Sequence, residues 1–151
     1  MRWLALLALA GQLAGASISI DCGSATDSNF AGGVAFTASP AAGVVDLTVR
    51  YGPQFAYLIP ALDIPYIVTF HFLETTVQSA GARVFSVSIN DQEVIKDLDL
   101  FAVAGFMAPF SRSVIVMGGQ ALKITFTASV RNAMVASIDF AQLFVMPDWS
   151  Q

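Results

Sequence analysis

Residues 83–101 read RVFSVSINDQEVIKDLDLF, and this stretch decides the fold of the chain. Its first half alternates with a period of two, which is typical of a half-buried β-strand. Phe85, Val87 and Ile89 share the face that this pattern predicts to be buried. Asn90-Asp91 then interrupts the alternation with two residues that tolerate a positive φ, and the segment from Glu93 to Lys96 resumes an extended run. The stretch therefore predicts a β-hairpin.

Further short strands, separated by turn residues, are predicted on both sides of this hairpin. They cover residues 17–22, 34–37, 45–51, 54–60, 66–73, 114–117, 122–127 and 134–145. Gly52-Pro53 and Gly118-Gly119 are predicted turns, and residues 102–112 are a predicted irregular connection. No amphipathic helix of ten or more residues interrupts the strands, so the pattern indicates an all-β fold, an antiparallel β-sandwich. We expect Phe70, Phe72, Phe85 and Phe126 in its core.

Four short motifs, in the order in which they occur along the chain, resemble those of the malectin domain, a lectin-type module of the secretory pathway. The segment RVFSVSIN with its turn and VIKDLDLF is similar to the central motif of that family. The flanking motifs are Ile20-Asp21-Cys22-Gly23, Arg50-Tyr51-Gly52 with Phe55-Ala56-Tyr57, and the strand from Tyr66 to Glu74. Together they span nearly all of the chain after its first residues. The resemblance implies a malectin-type, jelly-roll-like sandwich that binds carbohydrate without altering it.

The resemblance also implies where a sugar would bind. Tyr51 matches one of the sugar-contacting tyrosines of the family, and its ring could equally be a strand-end aromatic packed on Pro53 and Phe55. Thr76 and Val77 stand where the family has an adjacent aromatic pair. Arg131 or Asn132 stands where the family has a loop carboxylate. The predicted carbohydrate-binding residues are Tyr51, Thr76, Val77, Arg131 and Asn132.

Three segments make up the expected organisation of the chain. Residues 1–16 combine a positive start, an apolar stretch and Ala14-Gly15-Ala16, which predicts a signal peptide cleaved before Ser17. Residues 17–147 form the predicted malectin-like domain, and residues 148–151 form a C-terminal tail. Beyond residue 16 no apolar run approaches the roughly 20 residues that a membrane span needs. We therefore expect a protein of the secretory pathway, either in the lumen of the endoplasmic reticulum or secreted.

Composition excludes some classes of partner. The net charge is −4 and only 12% of the residues are charged, so the basic surface that nucleic acid requires is absent from the sequence. Cys22 is the single cysteine, which excludes an intramolecular disulfide and favours a small buried side chain. The sequence predicts no cofactor. The expected partner is a carbohydrate or the glycan of a glycoprotein.

Candidate catalytic and metal-binding groups are few. His71 is the single histidine, and we expect it to be partly buried with one nitrogen satisfied. Glu74 and Asp139 would have to face one another to form a glycosidase pair, and nothing in the sequence brings them together. The alternate carboxylates of Asp97 and Asp99 could supply oxygen ligands to a calcium ion. A structural role in capping is favoured over a calcium site. The sequence therefore predicts a protein that is not an enzyme.

A second function remains open beside carbohydrate binding. The same sandwich can serve as a protein-interaction or structural module that has lost its sugar site. Phe106, Met107 and Phe110, three large apolar residues in the predicted connection, would then bind a protein partner, or they would fold inward as core.

Overall fold

The structure, a computed structural model, describes residues 17–25, 27–38 and 48–143. The predicted leader, the predicted tail and residues 45–47 lie outside the described residues. Within that part the chain forms ten strands and one short helix. The strands are β1 Ser17–Asp21, β2 Phe30–Ala38, β3 Val49–Pro60, β4 Pro65–Leu73, β5 Val84–Ile89, β6 Gln92–Leu98, β7 Pro109–Met117, β8 Ala121–Val130, β9 Ala133–Val135 and β10 Ser137–Gln142. The helix, α1, is Leu100–Val103.

The strands form two antiparallel sheets that pack as a sandwich, so the predicted fold class is confirmed. One sheet has four strands in the order β1-β10-β4-β7. The other has the order β2-β3-β8-β5-β6, and β9 pairs with β3 beside this path. In the predicted central strand, β4, the side chains alternate between buried and half-buried positions, with β10 on one side and β7 on the other.

The predicted hairpin and the predicted core are both confirmed. Asn90 and Asp91 have φ values of 50° and 66°, the left-handed conformation that a tight two-residue turn between β5 and β6 requires. Phe70, Phe72, Phe85 and Phe126 are all buried. The ring of Phe70 meets that of Phe126 edge-on at 5.9 Å, and the ring of Phe72 meets that of Phe85 at 5.6 Å. These contacts join the two sheets across the core.

The predicted turn at Gly52-Pro53 is wrong, because β3 runs without interruption from Val49 to Pro60. Gly52 instead allows β2 to approach closely, since a Cβ at this position would overlap the carbonyl oxygen of Val34. The strand predicted at residues 34–37 is also longer than expected. Gly32 and Gly33, both with φ of 111°, lie inside β2 next to an irregularity in its register.

The connection predicted at residues 102–112 is shorter in the structure. It contains the end of α1, and β7 already begins at Pro109.

The strand predicted from residue 134 is divided at Ala136. Its first part, β9, pairs with β3 in one sheet, and its second part, β10, pairs with β4 in the other. The chain thus changes sheet at a point that the continuous apolar pattern does not mark.

Candidate functional site

A cavity of about 240 Å³ lies where one end of β3 meets the loop after β4, the start of β5 and the turn between β8 and β9. Since neighbouring strands are antiparallel, these chain segments meet at one end of the sandwich. We call this the Tyr51 cavity. It is lined by Val49, Tyr51, Thr75, Thr76, Arg83, Arg131, Asn132 and Met134. Four of the five residues predicted to bind carbohydrate therefore lie together, namely Tyr51, Thr76, Arg131 and Asn132.

Tyr51 has an aromatic neighbour that the sequence does not identify. In register, it lies opposite Phe36 of β2 on one side and Met134 of β9 on the other. The ring centroids of Phe36 and Tyr51 are 5.6 Å apart with the planes tilted by 38°. Phe36 is 55% exposed and Tyr51 is half-buried. The observed ring contact of Tyr51 is with Phe36, whereas Phe55 stacks on Phe126 in the core at 4.8 Å.

A buried ion pair fixes the wall of the cavity next to Tyr51. Glu74 and Arg83 are 1% and 3% exposed, and Arg83 donates from Nε to Glu74 Oε2 at 2.6 Å and from Nη2 to Oε1 at 3.3 Å. Arg83 Nη1 also donates to the backbone carbonyl of Asn132 at 2.7 Å. The pair therefore links the loop after β4, the start of β5 and the β8–β9 turn.

The loop that contains Thr76 and Val77 is held by the same carboxylate. Glu74 Oε1 accepts hydrogen bonds from the backbone N–H of Thr76 at 3.0 Å and of Val77 at 2.9 Å. Thr76 lines the Tyr51 cavity, whereas Val77 is 4% exposed and is not one of the lining residues. The loop thus presents a hydroxyl to the cavity and buries its next side chain.

Arg131 and Asn132 form the rim of the cavity at the turn between β8 and β9. Arg131 is exposed and has a φ of 65°, a left-handed conformation that reverses the chain at this point. The described residues that line the cavity include two arginines, two threonines and an asparagine, but no Asp or Glu. The polar part of the cavity is therefore rich in hydrogen-bond donors and carries positive charge at its rim.

The candidate catalytic residues His71, Glu74 and Asp139 are not among the residues that line this cavity. His71 has both ring nitrogens bonded, Nδ1 to Ser111 Oγ at 2.8 Å and Nε2 to Asp139 Oδ2 at 2.7 Å, so the expectation of one satisfied nitrogen is wrong. Asp139 thus has His71 as its hydrogen-bond partner and Glu74 has Arg83, so each of the two acids is engaged by a different residue. The hydrogen-bonded His71 links β4 to both of its neighbouring strands.

Asp99 has the capping role that the sequence favours. Its carboxylate accepts from the N–H of Ala102 at 3.1 Å as the N-cap of α1 and from the N–H of Gly81 at 2.6 Å. Asp97 adopts a φ of 49° where β6 ends. Within residues 17–25, 27–38 and 48–143, no three or more His, Cys, Asp or Glu side chains come together in a group that could hold a metal ion.

The three apolar residues of the alternative binding surface are not equally exposed. Phe106 is 42% exposed. Met107 is half-buried, and its N–H donates to the carbonyl of Glu74 at 2.7 Å. Phe110 packs on the core, with its ring 6.4 Å from that of Phe72 and with Arg112 lying over it. Of the three, only Phe106 has an exposed side chain.

The sequence misses Phe36, Thr75, Arg83, Val49 and Met134 as residues of the site or its surroundings. Arg83 is the first residue of the stretch that decides the fold, but its charge gives no periodic signal. Its partner Glu74 lies nine positions earlier, at the end of another strand. A buried charge at a strand end that needs a partner is the signal that could have identified this pair.

Comparison with solved structures shows the same fold in larger proteins. The ectodomain of ANX1 from Arabidopsis thaliana is 13% identical with a TM-score of 0.72, over 85% of this chain and 48% of that protein. The β-glucuronidase 2 of Bacteroides uniformis, covalently bound to cyclophellitol-6-carboxylate aziridine, is 16% identical with a TM-score of 0.69, over 89% of this chain and 19% of that enzyme. A complex of plant peptide RALF23 with FER and LLG2 contains a chain that is 16% identical with a TM-score of 0.55, over 62% of this chain and 30% of that one.

This chain therefore spans less than half the length of each of these proteins, and at such identities the likeness concerns the fold alone. None of the curated protein sequences compared with the chain matches it. In the described residues, no helix has the length and apolar character to cross a bilayer. A model of the malectin domain matches residues 18–142, so the chain belongs to the malectin domain family.

Proposed function

We propose that this protein binds carbohydrate in the Tyr51 cavity and does not alter it. The observation that carries the proposal is the convergence of Tyr51, Thr76, Arg131 and Asn132 on one cavity. These residues come from three separate segments of the chain, and they are the positions at which the malectin resemblance implies sugar contacts. The ion pair of Glu74 and Arg83 supports the proposal further, because it holds two of the segments in a fixed arrangement.

The side chains of the cavity have the chemistry that a sugar needs. The apolar face of a pyranose ring packs on an aromatic ring, and Tyr51 supplies one at the cavity wall. Thr75, Thr76 and Asn132 supply hydroxyl and amide groups for the sugar hydroxyls. The volume of about 240 Å³ is below the roughly 300 to 1,000 Å³ of pockets for drug-sized ligands. The cavity therefore takes a single sugar ring, and the next ring of a longer glycan lies over the exposed face of Phe36.

The non-catalytic part of the proposal rests on family membership, because the malectin domain is a binding module. The side chains that line the cavity fit this role. Thr, Asn and Arg groups orient a ligand by hydrogen bonds, whereas a glycosidase of the usual kind places two carboxyl groups on either side of the bond that it breaks. Glu74, the acid nearest to the lining residues in sequence, is engaged by Arg83 and by two backbone N–H groups.

The proposed location is the secretory pathway, either the lumen of the endoplasmic reticulum or the outside of the cell. The ectodomains among the structural relatives support an extracellular or secretory-pathway domain. The N-terminal residues 1–16 have the sequence of a signal peptide. We therefore expect a mature protein that begins at Ser17. The mass of the protein secreted from a eukaryotic host tests this expectation.

Protein interaction is the second candidate function, and the exposure of Phe106 favours it. This ring is 42% exposed beside the end of α1. One structural relative belongs to a complex of plant peptide RALF23 with FER and LLG2. In this alternative the sandwich presents Phe106 to a protein partner, and the Tyr51 cavity takes no sugar.

A glycan-array profile of residues 17–147 tests the proposal against this alternative. We expect binding to a restricted group of glycans and no signal from the same domain with Tyr51→Ala. The matched control is Phe106→Ala, which removes an exposed ring outside the cavity lining and should leave the profile unchanged. A flat profile over glucosides, mannosides and acidic polysaccharides would remove the carbohydrate proposal and leave the interaction module.

A further inference from the structure

The arginines of the described residues differ in what surrounds them. Arg50 donates to the carboxylate of Asp27 at 2.9 Å, and Arg83 is paired with Glu74. Arg112 lies over the ring of Phe110 with 5.6 Å between its Cζ and the ring centroid. Arg131 has neither a carboxylate nor an aromatic ring as a partner within the part of the chain that the structure describes. Its guanidinium is the uncompensated cation at the rim of the Tyr51 cavity.

The backbone holds Arg131 at this rim. The turn between β8 and β9 is anchored by the hydrogen bond from Arg83 Nη1 to the carbonyl of Asn132, the residue that follows Arg131. On the other side of Asn132, β9 pairs with the segment of β3 that contains Tyr51. The backbone of Arg131 is thus held close to the strand that contains Tyr51.

Among the residues that the structure describes, no carboxylate lines the cavity to offset this charge. Glu74 lies behind the lining residues, and its charge is balanced by Arg83. The remaining lining side chains are neutral, namely Val49, Tyr51, Thr75, Thr76, Asn132 and Met134. The local charge of the cavity is therefore positive on a protein whose net charge is −4. A positive cleft on an acidic protein attracts an anionic ligand to that cleft and not to the rest of its surface.

We propose that the Tyr51 cavity prefers a saccharide with an anionic group, a uronate carboxylate or a sulfate, and that Arg131 binds this group. The inference rests on the proposed function, since it assigns the class of sugar to the same cavity. The guanidinium of Arg131 donates paired N–H groups in one plane, which matches the two oxygens of a carboxylate or a sulfate. The ring that bears the anion stacks on Tyr51, and the neutral hydroxyls meet Thr75 and Thr76.

The experiment is a set of calorimetric titrations of residues 17–147 at about 50 mM salt, where the screening length is still above 10 Å. The probes are trigalacturonate and its fully methyl-esterified form, which differ in charge but not in their sugar rings. A κ-carrageenan tetrasaccharide, which bears sulfates and no carboxylates, distinguishes sulfate from carboxylate as the source of the anion. Maltotriose is a second neutral sugar. The variants are Arg131→Gln, the matched control Arg112→Gln, which removes the same charge outside the cavity, and Tyr51→Ala.

We expect the wild-type domain to bind at least one of the two anionic probes about fivefold more tightly than the neutral probes, because an exposed charge pair contributes about that factor. The preference should be lost in Arg131→Gln, retained in Arg112→Gln and weakened at 500 mM salt. Equal affinity of the wild type for trigalacturonate and its ester, together with no preference for the carrageenan tetrasaccharide over maltotriose, overturns the inference. A preference that survives Arg131→Gln also overturns it.

The titrations separate this inference from the proposed function. If the neutral probes bind as well as the anionic ones and Tyr51→Ala abolishes all binding, the carbohydrate site stands and the assignment to acidic sugars fails. If no probe binds the wild-type domain, the assignment to acidic sugars fails together with carbohydrate binding at this cavity. An anion preference that is independent of Tyr51 places the anionic ligand outside the cavity and contradicts both.

Discussion

The Nε atom of Arg83 lies 2.6 Å from Oε2 of Glu74, in an ion pair that is buried beside the Tyr51 cavity. Few charged groups are buried in proteins unless they are paired, because removing a charge from water is costly. Here the two charges also satisfy the backbone N–H groups of Thr76 and Val77 and the carbonyl of Asn132. The pair is therefore the structural basis of the cavity wall.

Removing one partner of this pair should destabilise the domain strongly. Glu74→Gln leaves the guanidinium of Arg83 buried without an opposite charge, which costs about 3 to 5 kcal/mol. Arg83→Met leaves the carboxylate in the same situation. The double variant Glu74→Gln/Arg83→Met should be less destabilised than the sum of the two single variants. Urea unfolding measures these free energies, and single variants that lose less than about 1 kcal/mol would show that the pair is hydrated.

Replacing Phe85 by Ala should lower the free energy of unfolding by about 3 to 5 kcal/mol. Phe85 is fully buried and touches Phe72 across the sandwich, so the substitution removes apolar contact and leaves a cavity between the sheets. Phe106→Ala is the matched control, since this ring is exposed and its loss should cost within about 0.5 kcal/mol. An unchanged urea midpoint for Phe85→Ala would place this side chain outside the core.

The buried thiol of Cys22 should make the free energy of unfolding depend on pH in the alkaline range. Burial raises the pKa of its thiol from 9.0 to about 12. The unfolded chain therefore releases this proton near pH 9, while the folded chain keeps it up to about pH 12. The contribution of the thiol to stability is full below pH 9 and is lost progressively between pH 9 and pH 12.

The test compares the wild type with Cys22→Ala by urea unfolding at several pH values from 8 to 11. The variant lowers stability at pH 8 because it leaves a small cavity, and the difference between the two proteins should narrow as the pH rises. Burial also raises the pKa of Tyr57, and Cys22 contributes to that rise, so the comparison reports the thiol together with its effect on Tyr57. A difference that stays constant over this range would show that the thiol ionises equally in both states.

Phe36 predicts an effect on glycan affinity without an effect on stability. Its ring is exposed and lies beside Tyr51, where the proposed binding mode places the second ring of a glycan. Phe36→Ala should weaken binding of a trisaccharide about fivefold, since an aromatic contact contributes about 1 kcal/mol. The control is Val34→Ala, because Val34 is exposed on the same strand. Equal affinities of the two variants and the wild type would limit the site to Tyr51.

The sequence predicts most of the sandwich because its strands alternate clearly. The period-two pattern of Phe85, Val87 and Ile89 identifies the buried face of β5, and Asn90-Asp91 identifies the turn, since both signals are local. The role of Gly52 is not accessible in the same way. Glycine is favoured at a turn and also where a neighbouring strand approaches closely, because it has no Cβ. Only the position of Val34 in the structure shows that the second reason applies to Gly52.

The site is predicted in part, through the malectin resemblance and not through periodicity. The motif positions pick out Tyr51 and Asn132, which line one cavity although 81 positions separate them. The contact between Phe36 and Tyr51 depends on the register of β2 against β3, which shifts between Val34 and Phe36. A register shift of this kind leaves no mark in composition, so the second aromatic ring of the site emerges only from the structure.

The most direct test of carbohydrate binding is the affinity of Tyr51→Ala and Tyr51→Phe for the glycan that the wild-type domain selects on the array. Removal of the ring should weaken binding by about 1 to 3 kcal/mol, enough to abolish measurable binding at a shallow site, while Tyr51→Phe keeps most of it. Both variants should retain a melting temperature close to that of the wild type. If Tyr51→Ala binds the glycan as the wild type does, with its melting temperature unchanged, the Tyr51 cavity is not the carbohydrate site.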